Sequence, residues 1–588
     1  RRDGELGPRW EEDMPKSEIV IRLGGEGGEG VISTGDIFTL ASARTGYHVF
    51  TFRTYPAEIK GGHAWYQVRV GPRPVLSMGD QVDVLVAFNL EAYEKHKHLL
   101  NKEEGVLIYD PDEVTPEPHP KTVLYPIPFN RIARQDLNFV RGKNVVVTGV
   151  LAGLFGLDPT SLTEFITQRY KRRAELLDQN LKALEAGVTY AMKNLTKADP
   201  YYLTPTERVG RLVMSGNDAI VAGALTAGCR FYAGYPITPA SEILELMATT
   251  LPRIGGVSFQ AEDEMAAIGS VLGASFAGVK AMTATSGPGL SLMTEFMGWS
   301  GMAEVPCVIV DAQRAGPSTG MPTKLEQGDL NHALFGGHGE FPRVVVAPGS
   351  VEDAFWQIIN AFNLAEKYQV PVIFLSDQSL SHRTESLLKP DLNKVKVVDR
   401  QKPTDEDLEN GYQRFAITDT GISPMALPGT PGGMYVAPGL EHDEKGHVDN
   451  PLASHEKMVP KRFRKLETLQ KELEAPPRYG APDARIGVIG WGSTEGAIRE
   501  AVERCVAKGL KVAAIHPKVL NPLPEKHLEQ FIRSVDTVIV PEVNYTGQFA
   551  RYLQSLFCIP VVRINKWGGL PFTAGEIQRK IEEVANGR

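Results

Sequence analysis

The chain has 588 residues and a formal net charge of −8, with 42% hydrophobic and 23% charged residues. This balance is typical of a globular protein, and the length predicts three to four domains rather than a single core. The small negative charge argues against a nucleic-acid-binding surface and identifies no partner.

The few cysteines lie far apart in the chain, so neighbouring thiolates are not expected to hold zinc or an iron–sulfur cluster. They are Cys229, Cys307, Cys505 and Cys558. Without a disulfide framework, a reducing cytoplasm is the expected location. The polar first residues contain no apolar signal core, and the longest apolar stretch, residues 145–157, is too short to span a bilayer. We therefore expect a soluble, cytoplasmic protein without a membrane or nucleic-acid partner and without a metal site of its own.

The first 200 residues alternate between apolar runs and helical patterns. A strand over residues 18–23 leads into the loop GGEGGEG and a helix from Val31. Later elements of this block comprise several strands and one charged helix; they are predicted at 48–53, 65–70, 82–88, 105–109 and 174–194. This alternation predicts an α/β domain with a mainly parallel sheet.

Two further α/β blocks follow, separated by a stretch without clear periodicity. The strands of the second block are predicted at 230–234, 279–285, 305–311, 343–347 and 370–375. The strands of the last block are predicted at 484–490, 511–516, 536–541 and 560–564. Between these blocks, residues 380–480 are rich in Lys, Asp, Pro and Gly, which predicts a long excursion between domains, partly ordered on a partner.

Thr238 stands in the segment YPITPAS, where the chain leaves a strand and approaches a helix. One interpretation is a helix N-cap followed by a proline in the first turn. The other is a hydroxyl group at the carboxyl end of a strand, where open α/β sheets bind ligands. The two interpretations can hold together.

Glu264 lies at the head of a predicted helix rich in Ala, Gly and Ser, in the segment EDEMAAIG. The helix dipole favours acids in a first turn, which accounts for Glu262 and Asp263. The small residues predict close packing against another helix of the same sheet or another subunit. A carboxyl group at the edge of an apolar interface also suits proton transfer, because desolvation favours its neutral form.

Arg314 follows a predicted strand in the segment DAQRAGPSTG. An arginine at a strand's carboxyl end can bind a carboxylate through two parallel hydrogen bonds. The alternative is an ordinary structural salt bridge. The turn SGPG at residues 286–289 likewise either brings backbone amides to a ligand or is only a turn.

The loop at residues 24–30 contains G-x-G-x-x-G between a strand and a helix, which is the context of a dinucleotide site. The second strand, however, ends at Arg53 rather than at an acid that would hold a ribose. Glu26 and Glu29 also sit badly beside a pyrophosphate. A basic residue suits a phosphorylated ribose, in NADP or in coenzyme A. The segment PEVNYTGQ at 541–548 follows another strand, and a packing or subunit-contact role is expected for it.

Taken in order, these motifs resemble the 2-oxoacid:ferredoxin oxidoreductases. The segments GYPITPAS, QAEDEMAAIGSVLGAS, TSGPGLSLM, DAQRAGPSTGMPTKLEQGDL and PEVNYTGQ are similar to the family's α subunit. The segments GGEGGEG and RTYPAEIKGGHAWYQVRV are similar to its γ domain, fused at the N-terminus. The resemblance implies a multidomain α/β fold. It comprises a γ-type, coenzyme A-associated domain (17–197), a thiamine-diphosphate pyrimidine-type domain (205–385), a linker or excursion (386–480) and a transketolase C-terminal-like domain (481–588).

The resemblance also implies roles for single residues. Glu264, and not Glu262, would activate thiamine diphosphate by protonating its aminopyrimidine ring. Thr238 would contact the 2-oxoacid, and Arg314 would bind its carboxylate. Around the glycine-rich loop, four residues would help hold coenzyme A, namely Gly27, Gly28, Gly30 and Arg53.

A partner is implied as well, because this chain has no G-D-G…N diphosphate motif and no clustered cysteines. A β subunit would hold the diphosphate of thiamine through Mg²⁺ and carry a 4Fe–4S cluster, in an (αβ)₂ heterotetramer that reduces ferredoxin. The fused γ–α order resembles enzymes that convert 2-oxoglutarate to succinyl-CoA. Lys324, His338 and Lys566 are candidates for its second carboxylate.

Alternatives remain at this stage. Pyruvate, indolepyruvate or a branched-chain oxoacid are other substrates within the same family. A non-catalytic scaffold and a plain NADP-binding protein are alternatives from outside it.

Overall fold

The computed structural model describes residues 15–54, 61–204, 210–448 and 452–587. The chain forms two compact units, which we treat separately. The first comprises the chain up to Met214 together with residues Arg383–Pro390, and the second comprises Ser215–His382 and Asp391 onwards. The predicted domain boundaries are not decided by this division and stay predictions.

The first unit is built on one sheet with helices packed against it. Its strands before residue 216 are β1 Ile19–Glu26, β2 His48–Thr54, β3 His63–Gly71, β4 Val84–Ala87, β5 Val106–Tyr109, β6 Val123–Pro126 and β7 Arg211–Ser215. Its helices are α1 Val31–Arg44, α2 Leu90–His96, α3 Phe129–Arg131, α4 Lys143–Phe155, α5 Pro159–Tyr170 and α6 Ala174–Asn194.

The prediction of a mainly parallel sheet is wrong for this unit. β1 pairs in parallel with β4, β4 with β5, and β5 with β6, but β3 is antiparallel to both β1 and β2. Only eight residues join the end of β2 to the start of β3, which is too few for the helical crossover that parallel neighbours need. The short connection therefore imposes the antiparallel pairing of β2 with β3, and the sheet is mixed.

The apolar stretch at 145–157 is a buried element, as predicted, and belongs to α4. This helix packs very closely on α6. A Cβ atom added at Gly149 would lie 2.3 Å from the backbone oxygen of Leu184, and one at Gly187 would lie 2.1 Å from that of Val146. Only glycine fits at these two positions, so the two helix backbones nearly touch.

The second unit contains two more sheets. Its strands in the first part are β8 Phe231–Gly234, β9 Val257–Gln260, β10 Ala281–Thr285, β11 Cys307–Gln313, β12 Val344–Val346 and β13 Pro371–Asp377. The helices around them are α7 Gly216–Thr226, α8 Ser241–Thr250, α9 Glu264–Phe276, α10 Gly287–Leu292, α11 Thr294–Ala303, α12 Leu330–Phe335, α13 Val351–Tyr368 and α14 Gln378–His382. The chain then returns to the first unit as β14 Thr384–Leu388, which is antiparallel to β2.

The rest of the second unit runs from residue 391 to the end of the described chain. Its strands are β15 Arg478–Gly480, β16 Ile486–Ile489, β17 Val512–Ile515, β18 Val519–Asn521, β19 Thr537–Glu542 and β20 Val562–Asn565. Its helices are α15 Asp405–Glu409, α16 Leu452–Glu472, α17 Glu495–Ala507, α18 Glu525–Arg533, α19 Gln548–Phe557 and α20 Ala574–Ala585.

The seven-stranded sheet of this unit has the order β18-β12-β13-β11-β10-β8-β9. Six of the seven strands run parallel, and β18, which comes from the last block, joins the edge antiparallel to β12. The carboxyl ends of β8, β10 and β11 therefore meet at one edge of the sheet. The five-stranded sheet has the order β15-β17-β16-β19-β20.

Residues 541–548 have the packing role predicted for them. Buried Glu542 accepts hydrogen bonds from the backbone N–H groups of Phe549 and Ala550, at 2.8 and 2.9 Å. The side chain of Asn544 donates to the backbone oxygen of Gln327 at 3.0 Å, and Gln548 donates to that of Gly328 at 2.7 Å. This segment thus joins the last block to the loop before α12.

Much of the stretch between residues 391 and 480 is ordered on the second unit, and α16 is a helix that the sequence reading missed. Lys461 and Lys465 of α16 are fully buried and form ion pairs with Glu304 at the end of α11. Arg414, also fully buried, donates to the backbone oxygen of Glu304 at 2.7 Å. Burial lowers the pKa of Lys461 to about 7 and that of Lys465 to about 8. Burial favours neutral Glu304, but the two ammonium groups outweigh it and hold its pKa below the usual range.

Replacing Glu304 with Gln is expected to destabilise the second unit strongly. The change removes the carboxylate and leaves three buried cations without it, and breaking a buried pair in this way costs about 3–5 kcal/mol. Scanning calorimetry of the purified chain should show a midpoint lower by several degrees. The matched control is Glu529→Gln, which breaks an exposed pair with Arg533 and should leave the midpoint unchanged. An unchanged midpoint for Glu304→Gln would show that the cluster does not stabilise the fold.

No helix in the described parts of the chain is both long enough and apolar enough to cross a membrane.

Candidate active site

Three predicted site residues lie at the same edge of the seven-stranded sheet. Thr238 follows β8, Glu264 begins α9, and Arg314 follows β11. The loop before α9 is held to the end of β8, because the N–H of Ala261 donates to the backbone oxygen of Gly234 at 3.0 Å. The sheet therefore places these residues where parallel α/β sheets bind ligands.

Glu264 is buried, with 6% of its surface exposed. Its side chain packs on the turn at the start of α10: a Cβ atom added at Gly289 would lie 2.6 Å from its Cγ and 2.7 Å from its Oε1. The preceding residue, Asp263, is the N-cap and accepts a hydrogen bond from the N–H of Ala266. No hydrogen bond to the Glu264 carboxyl is formed by the described residues. Since Asp263 satisfies the helix end, the Glu264 carboxyl is available for a ligand.

Arg314 is brought to Thr238 by a hydrogen bond. Its Nη1 donates to the backbone oxygen of Thr238 at 2.7 Å, and 7% of its surface is exposed. Burial lowers the pKa of this guanidinium, whereas the nearby carboxyl groups of Asp329 and Asp311 raise it. Among the described residues, Arg314 forms no ion pair within 4.0 Å, so the structural salt bridge is not formed in the ordinary sense, although two acids act on the guanidinium. It is a buried cation near the buried carboxyl of Asp311 and the half-buried Asp329.

The N-cap interpretation of Thr238 is wrong. Helix α8 begins at Ser241, and its N-cap is Ala240, which makes no side-chain capping bond. Thr238 lies two residues further upstream and is half-buried. Its position at the end of β8 agrees with the ligand-contact interpretation, which stays a prediction.

The other candidates for substrate contact are spread over the second unit. Lys324 packs its aliphatic chain against Gly569, and His338 is exposed in the loop after α12. Lys566 is held by Glu576, at 2.7–2.8 Å from both carboxylate oxygens. Because that ion pair occupies it, Lys566 is a poor candidate for a substrate carboxylate.

The glycine-rich loop lies in the first unit and opens into a cavity of about 270 Å³. Gly28 adopts φ +102° with no atom within 4 Å of an added Cβ, whereas Gly30 caps α1 with φ +88° and packs on Asn144. The lining is formed by the loop, the first turn of α1 and one residue of β3, namely Glu26, Gly27, Gly28, Gly30, Val31, Ile32, Ser33 and Ala64. The first turn of α1 contains no acid, so its N–H groups form an anion-binding end.

Glu29 of this loop is less of an obstacle to an anion than its charge suggests. Its carboxylate accepts hydrogen bonds from Lys143 at 3.0 Å, Asn89 at 2.9 Å and the N–H of Glu26 at 2.8 Å. Arg53 lies on β2, with its Nη1 3.8 Å from Asp36 of α1. Glu29 is thus neutralised within the unit and Arg53 is shared with an acid, whereas Glu26 lines the cavity.

Sequence reasoning missed two residues of the site, Asp311 and Asp329. Asp311 is fully buried near the end of β11, and Asp329 stands at the N-cap of α12. The N–H of Asp329 donates to Gln313 at 3.2 Å. In the sequence, Asp329 could be noticed only as the acid of the segment QGDL. Its closeness to Arg314 arises only in the folded chain. The described residues contain no group of three or more His, Cys, Asp or Glu side chains that could hold a metal ion.

Three family models match successive parts of the chain. Residues 20–190 match "Pyruvate ferredoxin/flavodoxin oxidoreductase", residues 222–461 match "Pyruvate flavodoxin/ferredoxin oxidoreductase, thiamine diP-bdg", and residues 484–577 match "Pyruvate:ferredoxin oxidoreductase core domain II". The predicted multidomain α/β fold class is confirmed. The fold and these matches define the chain as a subunit of the thiamine-diphosphate-binding oxidoreductase class.

Relatives extend over nearly the whole chain. The chain is 33% identical to a 2-oxoacid:ferredoxin oxidoreductase subunit alpha of Saccharolobus solfataricus, over 96% of this chain and 98% of that protein. It is 34% identical to the 2-oxoglutarate oxidoreductase subunit KorA of Mycobacterium tuberculosis, over 97% and 92%. A solved 2-oxoglutarate:ferredoxin oxidoreductase from Magnetococcus marinus, with 2-oxoglutarate, coenzyme A and succinyl-CoA bound, is 43% identical. That match has a TM-score of 0.93 and covers 97% of this chain and 99% of that one. The chain belongs to the 2-oxoacid:ferredoxin oxidoreductase alpha subunits, an oxidoreductase family.

Proposed function

We propose that this chain is the α subunit of an enzyme that oxidatively decarboxylates 2-oxoglutarate to succinyl-CoA and CO₂ and passes the electrons to ferredoxin. The reaction is reversible and can also serve reductive carboxylation. The observation that carries the proposal is the meeting of Glu264, Thr238 and Arg314 at one sheet edge, with Arg314 buried and hydrogen-bonded to the Thr238 backbone. The M. marinus structure supports the choice of substrate through its similarity and its bound molecules.

Glu264 and its surroundings fit thiamine diphosphate. A buried carboxyl that receives no hydrogen bond from the described residues can bond a ring nitrogen of the aminopyrimidine, and Gly289 leaves the room that a Cβ atom would fill. When bound, the cofactor supplies the nucleophilic carbon and the electron sink for loss of CO₂. Glu264 holds and returns a proton at the ring nitrogen.

Arg314 and Thr238 orient the oxoacid in this proposal. The guanidinium binds the carboxylate next to the 2-oxo group, which is the group lost as CO₂. The hydroxyl of Thr238 donates to an oxygen of the same substrate. Lys324 and His338 stay candidates for the distal carboxylate, and His338, which is exposed, can reach a ligand without losing a structural contact.

Coenzyme A is proposed to use the glycine-rich loop, with its phosphates at the N-terminus of α1 and with Gly27, Gly28, Gly30 and Arg53 around them. Ser33, in the first turn of α1, lines the cavity and offers a test. Ser33→Asp adds an anion that the helix end tolerates, so folding is kept while phosphate is repelled. We expect the KM for coenzyme A to rise about tenfold, which corresponds to about 1.4 kcal/mol.

The matched control for this prediction is Ser33→Asn, which has the same size and no charge. Steady-state rates at varied coenzyme A would compare both variants with the unmodified complex, and the KM for the oxoacid should not change. If the Asp and Asn variants had the same KM for coenzyme A, the phosphates of coenzyme A would not bind at this end of α1.

A β subunit is proposed to complete the site by holding the diphosphate with Mg²⁺ and carrying the 4Fe–4S cluster, in an (αβ)₂ assembly. The face around α9 suits it. Met265 and Phe259 are exposed at 45% and 47%, and small residues of α9, including Ala266 and Gly273, are exposed beside them. An added Cβ at Gly273 would meet nothing within 4 Å, so a helix of another subunit can approach closely.

The proposal is tested by oxoacid-dependent reduction of a low-potential dye with coenzyme A, using the chain purified with and without its co-purifying partner. Pyruvate and indolepyruvate are run beside 2-oxoglutarate. Activity that needs the partner and prefers 2-oxoglutarate is the expected result. Preference for another oxoacid would correct the substrate. Inactivity of a complex that holds thiamine diphosphate and a cluster would favour the scaffold alternative.

A further inference from the structure

Buried Asp311 and Arg314 and half-buried Asp329 form a group of charges near the end of β11. Asp311 is completely buried, and neither of its carboxyl oxygens receives an N–H or O–H donor from the described residues. Oδ2 of Asp329 also receives no donor from the described residues. The Nε of Arg314 and the Oγ of fully buried Ser286 likewise have no hydrogen-bond partner among them. So many unsatisfied polar atoms in one place indicate a site built for something other than packing.

The two carboxyl groups face each other, and they can form a hydrogen bond only when one of them carries a proton. Burial and the charge of Asp329 raise the pKa of Asp311 well above its usual range, against the attraction of Arg314. Burial likewise raises the pKa of Asp329 to about 6. Asp329 therefore ionises first, and above that pH the pair keeps one proton, on Asp311, and one negative charge, which the guanidinium of Arg314 balances.

The pair adjoins the turn that contacts Glu264. A Cβ atom added at Gly287 would lie 3.0 Å from Oδ2 of Asp329, and one added at Gly289 would lie 2.7 Å from Oε1 of Glu264. The turn at the start of α10 thus separates the acid pair from the proposed cofactor-activating carboxyl. The other charged groups that act on the pair are Arg314, after β11, and Glu326, in the loop before α12.

We propose that Asp311 and Asp329 form a one-proton pair that positions Arg314 and makes oxoacid binding depend on retention of that proton. This inference rests on the proposed role of Arg314. An oxoacid carboxylate on Arg314 brings a further negative charge next to the pair. While the pair keeps its proton, the guanidinium of Arg314 faces two negative charges, one on the pair and one on the oxoacid. Once the proton is lost, it faces three. Substrate binding therefore favours the protonated pair, and the two Asp residues act through Arg314 rather than on the substrate itself.

The test is the pH dependence of the KM for 2-oxoglutarate in the αβ complex between about pH 6 and 8.5. In the unmodified complex the KM is expected to rise with pH, by at most about tenfold per pH unit, the limit for uptake of one proton. In Asp329→Asn the amide donates to Asp311 without titrating, so the profile should be much flatter. The change should be larger in KM than in kcat. The matched control is Glu262→Gln, an exposed acid that is not among the groups acting on the pair, and it should keep the slope of the unmodified complex.

Calorimetry of 2-oxoglutarate binding in two buffers of different ionisation enthalpy gives an independent readout. At a pH where its KM rises, the unmodified complex should take up a fraction of a proton, and Asp329→Asn should take up less. Asp311→Asn replaces Asp329→Asn if the latter fails to assemble. Parallel KM profiles, or equal proton uptake, in the variant and unmodified complexes would overturn the inference. The proposed function fails separately, if Arg314→Ala leaves the oxoacid KM unchanged.

Discussion

Glu264→Gln is expected to lower kcat of the assembled complex by about 10²–10⁴-fold, the range for loss of a positioned proton-transfer group. Glutamine keeps the size of the side chain and its place against Gly289, but it cannot give a proton to the ring nitrogen. No side chain of the described residues bonds the carboxyl, so none of them stands in for it when it is replaced. The measurement is oxoacid-dependent dye reduction at saturating cofactor, with bound thiamine diphosphate quantified in each preparation.

Glu262→Gln is the matched control, since it removes a carboxylate two residues earlier on an exposed position. It should retain the activity of the unmodified complex. If Glu264→Gln with full cofactor content turned over at a near-normal rate, the cofactor-activating role would belong elsewhere. If it lost the cofactor altogether, the carboxyl would act mainly in binding.

The central strands could be predicted because they are buried on both faces. β11 and β13 are continuous apolar runs between turns, and the predicted strands at 305–311 and 370–375 overlap them closely. β9 was missed because it is a four-residue edge strand with three exposed residues, so no apolar run marks it. The antiparallel place of β3 was missed because strand direction follows from connections rather than from composition.

Helix α16 was not predicted because its buried face is not apolar. Its buried face is formed by Met458, Lys461, Arg462, Lys465 and Leu469. Two lysines stand where apolar residues would mark the helical period, and Pro460 lies inside the helix. These lysines are buried only because Glu304, more than 150 residues earlier, is buried against them. No local pattern contains that information.

Some residues of the candidate site could be predicted from the sequence and others could not. Thr238, Glu264 and Arg314 could be proposed from their places after strands and from the family resemblance. The acid pair could not, because Asp311 reads as part of a strand and Asp329 as the start of a short helix. Only folding places both beside one guanidinium. The site residues found from sequence are thus those in strand-end motifs, and those missed depend on contacts between such motifs.

Arg314→Ala is expected to lower kcat/KM for the oxoacid by roughly 30- to 5,000-fold, because loss of a buried charge-assisted pair costs about 2–5 kcal/mol. Most of the change should fall in KM. The variant also frees the backbone oxygen of Thr238 and leaves the acid pair without its cation, so a structural check by calorimetry accompanies the kinetics. Arg314→Lys is the informative comparison. It keeps the charge but loses the planar fork, and partial recovery would indicate that both charge and geometry contribute.

Combining Arg314→Ala with Asp329→Asn separates a direct effect from a transmitted one. If the acid pair acts only through the guanidinium, removing the guanidinium first should abolish the influence of Asp329 on the pH profile of the oxoacid KM. The double variant would then resemble Arg314→Ala alone, and the two effects would be strongly non-additive, as expected for groups in contact. Additive effects would instead mean that the pair contacts the oxoacid or cofactor directly. An unchanged KM in Arg314→Ala itself would move the carboxylate site away from the end of β11, and Lys324 and His338 would be the next residues to replace.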